Sequence, residues 1–139
     1  MTKDSANPVA HIPKGFPEDR PVVMVNLLQF HEEAQYPEGS PHSPCSGQEA
    51  WLVRYTEIYR KLLEKAGGYE LPYVGVPAGV VVGDDENDKW DAVVLVKYPN
   101  LEVFRKAIGT DEYVATALVH RVAALKKWKL IATLPAEIV

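Results

Sequence analysis

The sequence predicts an α+β domain whose elements run β-α-β-β-α-β, with a four-stranded antiparallel sheet and two helices on one face. Three observations lead there. Aliphatic runs of strand length alternate with amphipathic stretches of helix length in that order. The 139 residues, 47% hydrophobic and 24% charged, suit one domain with one core. The two cleanest strands are apolar at successive positions, so both faces of the sheet need cover.

Residues 1–20 hold Pro8, Pro13 and Pro17 with little periodicity and read as a loosely packed irregular arm, followed by a single domain over 21–139. Val22 to Phe30 is the first strand. His31 to Gly47 is a long loop punctuated by Pro37, Gly39, Pro41 and Pro44. Ser46 and Glu49 form a capping box, in which the hydroxyl accepts from a free amide and the carboxylate reaches back to the cap. In the helix that follows, Trp51, Tyr55, Ile58, Tyr59, Leu62 and Ala66 share one face. Arg54, Glu57, Lys61, Glu64 and Lys65 fall opposite, and Gly67-Gly68 ends the helix.

Tyr69 to Gly83 reads as a bent or bulged edge strand, because Gly75, Pro77 and Gly79 interrupt its valines. Asp84 to Asp88 is a turn, and Lys89 to Tyr98 is a clean strand that pairs with the preceding one as a hairpin. Pro99 stops it, and Asn100 caps a short helix from Leu101 to Ile108. Asp111 opens a longer helix with Val114, Leu118, Arg121, Val122 and Leu125 on its apolar face, and Trp128 to Leu134 is the last strand. This order is the split pattern of a ferredoxin-like sheet with both helices on one side. Its uncovered face would aggregate if left open, so a second copy of the chain is the expected cover and a homodimer the expected state.

The residues also resemble a family. Met24-Val25-Asn26-Leu27-Leu28-Gln29-Phe30, the Ser46-Gly47-x-Glu49-Ala50 helix start with Tyr55, the Trp90-Asp91 strand running to Tyr98-Pro99, and Arg121-x-Ala123-Ala124-Leu125 are similar to the DUF1330 group of the dimeric α/β-barrel superfamily. The likeness covers about residues 20 to 134. It implies two sheets dimerising face to face into a barrel. The broader superfamily includes cofactor-independent monooxygenases, small isomerases, haem-using enzymes and ligand-sensing domains. The proline-rich arm and the long 31–47 loop set this chain apart from short members of the group.

Composition excludes several classes of function. A net charge of -4, with no basic cluster longer than Lys126-Lys127, lacks the positive field that nucleic acid requires. No apolar run approaches the roughly 20 residues of a membrane span. Met1 to Ser5 lacks the apolar core of a signal peptide, and a lone Cys45 has no internal disulfide partner, so the expected location is cytoplasmic. The glycines form no phosphate cradle, which argues against nucleotide cofactors. His31, Glu32, Glu33, His42 and Cys45 are metal-type side chains, but their spacing matches no standard site. No metal and no cofactor is expected.

Asn26 is the polar intruder in an otherwise aliphatic strand, and burying its amide without partners costs about 1–3 kcal/mol. Arg121 sits at the centre of an apolar stripe, where a guanidinium needs a carboxylate, a carbonyl or a bound anion. If Asn26 faces the helices, it converges with Tyr55, Tyr59 and Arg121 on a pocket walled by Trp51, Met24 and Leu28, suited to a small aromatic or carboxylate-bearing molecule. If it faces the other way, it belongs to the dimer interface. The ligand-binding set is then Asn26, Trp51, Tyr59 and Arg121, with Tyr55 as a proton relay and His31, at the end of the strand, as general base. His120 falls about 100° around the helix from Arg121 and is expected at the surface.

A structural reading competes: Asn26 bonds a bulged backbone, the tyrosines reach solvent and Arg121 pairs with Asp91. Three functions remain open. One is a cofactor-independent enzyme, of monooxygenase or isomerase type, acting on a small organic molecule. The others are a ligand-binding or sensing module and a purely structural dimerisation domain.

Overall fold

In the computed structural model, residues 7–136 are described. A 3-10 turn, Pro8–His11, precedes β1 (Val22–Phe30). The next element, α1, is one helical run in three segments: α-helical Gly47–Glu49, π-helical Ala50–Tyr55 and α-helical Thr56–Ala66. Then come β2 (Glu70–Gly75), β3 (Ala92–Tyr98), α2 (Leu101–Ile108), α3 (Asp111–Thr116), α4 (Leu118–Ala124) and β4 (Leu125–Thr133). The four strands form one antiparallel sheet in the order β2-β3-β1-β4. The architecture is α+β and ferredoxin-like, as the sequence predicts.

The pleat settles which way Asn26 points. Val22, Met24, Asn26 and Leu28 alternate as the buried residues of β1. Asn26 lies opposite Val94 on β3 and Leu130 on β4, on the face that packs against the helices. Val23, Val25 and Leu27 take the opposite face with Val93, Leu95, Tyr73 and Ile131, and this face stays half-open.

Several boundaries differ from the sequence reading. The edge strand stops at Gly75: Val80, Val81 and Val82 lie in the loop before β3, with Val81 98% exposed. The expected β2-β3 pairing forms nonetheless. β3 starts at Ala92 rather than Lys89, since Asp91 turns back to accept the Phe30 amide at 2.8 Å. The helix from Asp111 breaks at Ala117, and its buried line runs through Tyr113, Ala117, His120, Arg121 and Ala124, leaving Val114 and Val122 exposed. The large Tyr113 ring takes the core position that Val114 was assigned. Leu125 belongs to β4, which begins there and not at Trp128.

The arm is also more firmly held than its prolines suggest. Asn7 donates to the Ile108 carbonyl at 3.0 Å and accepts the Val9 amide at 3.0 Å, while Pro8 is buried against the same region. Residues 1–6 lie outside the described residues. Among those described, no helix is long and apolar enough to cross a membrane.

Candidate functional site: a donor-lined cavity between helices and sheet

Ser46 caps α1 as predicted, its hydroxyl accepting the Glu49 amide at 3.0 Å. One turn later the helix widens. The Thr56 amide reaches the Trp51 carbonyl five residues back, the mark of a π turn. This segment supplies Trp51, Leu52, Val53 and Tyr55 to the wall of a cavity of about 500 Å³, a volume typical of small-molecule pockets. The sheet contributes Asn26, Val94, Val96 and Leu130. Tyr59, Tyr98, Phe104 and Arg121 complete its interior, and exposed Leu52, Val53, Leu71 and Val74 rim its mouth.

Asn26, Trp51, Tyr55, Tyr59 and Arg121 therefore share one wall system, as the sequence predicts. Met24 and Leu28 do not belong to it. Met24 lines a second hollow with Phe16 and Trp128, and Leu28 is wholly buried in the core. Val94 and Leu130, Asn26's neighbours across the sheet, wall the cavity in their place. His31 sits outside the lining: its amide donates to the Ala124 carbonyl at 2.8 Å and its carbonyl accepts the Gly47 amide at 3.1 Å.

The polar groups are paired unevenly. Asn26 Nδ2 donates to the Val94 carbonyl at 3.1 Å and the Met24 carbonyl at 3.4 Å, so its amide is anchored to the strands. Tyr55 and Tyr113 share a hydroxyl contact of 2.7 Å, and Tyr59 and Tyr98 one of 2.9 Å. Burial pushes the phenols of Tyr59, Tyr98 and Tyr113 up; neighbouring phenols add to it at Tyr59 and Tyr113, while at Tyr98 the hydrogen bond with Tyr59 works against it. They stay neutral at physiological pH.

Arg121 is 5% exposed, and among the described residues no carboxylate is seen to pair with it. Asp91 is committed to the Phe30 amide, so it is not the partner of Arg121. Burial opposes the guanidinium's charge, but its pKa is shifted upward on balance, with a hydrogen bond to Tyr55 among the causes, and the group stays protonated. The Trp128 and Tyr55 rings lie 4.7 and 5.7 Å from its carbon and cover it as cation–π partners. Nε and Nη2 have no hydrogen-bond partner among the described residues, and neither has Trp51 Nε1.

A second polar cluster escaped the sequence reading. His120, expected at the surface, is 4% exposed, and its Nδ1 meets the Tyr36 hydroxyl at 2.7 Å. Arg54 turns to the 31–47 loop and not to open solvent, donating to the Tyr36 hydroxyl at 3.2 Å, the Ser43 carbonyl at 2.8 Å and Ser43 Oγ at 2.9 Å. These bonds strap the loop to α1 and α4. Among the described residues no group of three or more His, Cys, Asp or Glu side chains could hold a metal ion.

Tyr98 was also missed as a cavity group, and Tyr113 as the buried hydroxyl partner of Tyr55. For Tyr98 the signal was available, since it lies opposite Val22 on the helix-facing side of the pleat. For Tyr113 the signal was hidden by the helix break at Ala117.

No protein-family model and no curated protein matches this chain. Solved structures do. The crystal structure of methylated RPA0582 protein is 26% identical, with a TM-score of 0.77, over 99% of this chain and 93% of that one. The structure of RPA0582 from Rhodopseudomonas palustris, described as a protein of unknown function, is 24% identical, with a TM-score of 0.76, over 99% and 96% of the two chains. This chain thus shares its fold with RPA0582.

Proposed function

We propose that the protein binds a small organic molecule with an aromatic body in the helix-side cavity, and that it does so as a homodimer of the DUF1330-like, dimeric α/β-barrel kind. The observation that carries the reading is the cavity itself: aromatic and aliphatic walls around a buried charged group, in the pattern of ligand pockets. Supporting the dimer is the apolar, half-open sheet face bearing Val23, Val25, Leu27, Val93 and Leu95.

Binding is favoured over acid–base catalysis. Burial raises the pKa of the Tyr59 and Tyr98 phenols and holds them protonated, His31 stands outside the lining, and the carboxylate on the wall, Glu57, is exposed. A second reading rests on the Tyr55 hydroxyl beside Arg121: a cofactor-independent reaction in which the guanidinium holds an enolate or phenolate and Tyr55 relays a proton.

Calorimetry with two-ring aromatic probes tests the binding reading. The native protein should take up one probe per chain, and Val94→Phe, which fills the cavity floor, should weaken uptake at least tenfold. Equal binding by the two proteins would place the probe elsewhere and end the reading.

A further inference from the structure

We propose that the molecule held in this cavity is a monocarboxylate, gripped through the Nε–Nη2 edge of Arg121; the inference rests on the ligand-binding reading above and names its chemistry. Among the described residues, the buried side-chain nitrogens and oxygens without a hydrogen-bond partner are Trp51 Nε1, Arg121 Nε and Arg121 Nη2. All are N–H donors, and both residues line the same cavity. Buried donors are ordinarily satisfied, so a concentration of orphans in one cavity describes the ligand by its complement: a group that accepts and does not donate.

The geometry narrows the group further. The Nε–H and Nη2–H bonds of a guanidinium lie side by side and nearly parallel, at the spacing of two carboxylate oxygens. With the Trp128 and Tyr55 rings over the guanidinium, its edge is what remains for hydrogen bonding. Charge counting favours a single negative charge. Arg121 is the buried cation of the wall, while Arg60 is exposed and pairs with Glu64 at 3.9 Å. A phosphate monoester, with nearly two charges, would leave one uncompensated against an apolar wall.

The tyrosines fit the same picture. In each hydroxyl pair, Tyr55–Tyr113 and Tyr59–Tyr98, one hydrogen is spent between the two oxygens and the other is left to donate. The body of the ligand then lies against Trp51, Tyr59, Phe104 and Val94, with its polar end inward at Arg121 and its far end toward the Leu71–Val74 mouth. Nε and Nη2 are closed to solvent, so gripping a carboxylate requires the arginine edge to turn toward the cavity.

The test compares 2-naphthoate with 2-naphthamide, which share a ring system and differ in charge, by calorimetry against the native protein, Arg121→Met and Arg121→Lys. The native protein should prefer naphthoate by about tenfold or more. Arg121→Met should bring the preference to about one, and Arg121→Lys, which keeps the charge and loses the fork, should fall between. Near-UV circular dichroism establishes that each variant is folded, and if Arg121→Met is not, the native protein and Arg121→Lys still decide. Equal affinity of the native protein for both probes would overturn the carboxylate inference and leave the cavity reading standing. Binding of neither probe would overturn both.

Discussion

His120 is an imidazole kept neutral by its surroundings, and that has a measurable consequence. Burial is the main cause, with His42 and the Arg54 guanidinium adding to it, and together they push its pKa from 6.5 down to about 4. The neutral ring is the form that can accept from the Tyr36 hydroxyl through Nδ1, and Tyr36 in turn accepts from Arg54. Because the folded value lies below the unfolded one, the contribution is intact above pH 6.5. It is lost as pH falls from 6.5 to about 4, while the unfolded chain takes up a proton that the folded chain refuses. Urea unfolding at pH 7 and pH 4.5 should show native stability falling by about 2–3 kcal/mol more than that of His120→Gln, a difference that removes the carboxylates common to both proteins. Equal losses would mean that His120 charges freely in the fold. None of this was legible beforehand, because the helix break at Ala117 rotates His120 inward and its partner arrives from an irregular loop. Asn26, Tyr55, Tyr59 and Arg121 were legible, each as a polar group on an apolar stripe, and burial forces such groups to converge.

Among the elements, α1 was read well at its ends and poorly in its middle. The Ser46 cap and the terminating Gly67-Gly68 are local signals that survive in the fold. The π turn over Ala50–Tyr55 is invisible to a 3.6-residue template, yet it sets how Trp51 and Tyr55 enter the cavity. Gly47, at the first position of the helix, marks where three backbones crowd together. A Cβ there would overlap the His31 carbonyl oxygen and come within 2.8 Å of the Ala124 carbonyl and 2.9 Å of the His31 amide. Backbone cannot step aside as a side chain can, so Gly47→Ala should destabilise by about 3 kcal/mol, against about 1 kcal/mol for Ser46→Ala, which loses only the cap. The order of the two urea midpoints checks this, and a harmless Gly47→Ala would mean that the β1 end, α1 and α4 do not meet this closely. The strand limits failed for a related reason: Val80 to Val82 have β propensity but no neighbour on which to express it.

At the scale of the whole molecule, the sheet divides the chain's two claims between its faces. The helix-side face carries the cavity, and the opposite face presents Val25, Leu95, Val93 and Ile131 with Lys97 and Lys129 at its margins. Element order and the apolar parity of β1 and β3 made two apolar faces readable from sequence, but which of them holds Asn26 was settled only by the register, after which a period of two assigns every other residue of the strand. If a second copy covers the open face, Val25→Lys should convert a dimer to a monomer in sedimentation velocity while keeping the circular dichroism of the fold. A native protein that sediments as a monomer at micromolar concentration would contradict the dimer outright. The central claim concerns the other face, and its most direct measurement is a ¹H–¹⁵N spectrum of the arginine and tryptophan side chains during titration with 2-naphthoate. Trp51 Nε1–H and Arg121 Nε–H should move together and saturate at one ligand per chain, while the Trp90 indole, which packs on Lys127 away from the cavity, stays in place. Saturation of binding with both cavity signals unmoved would contradict it.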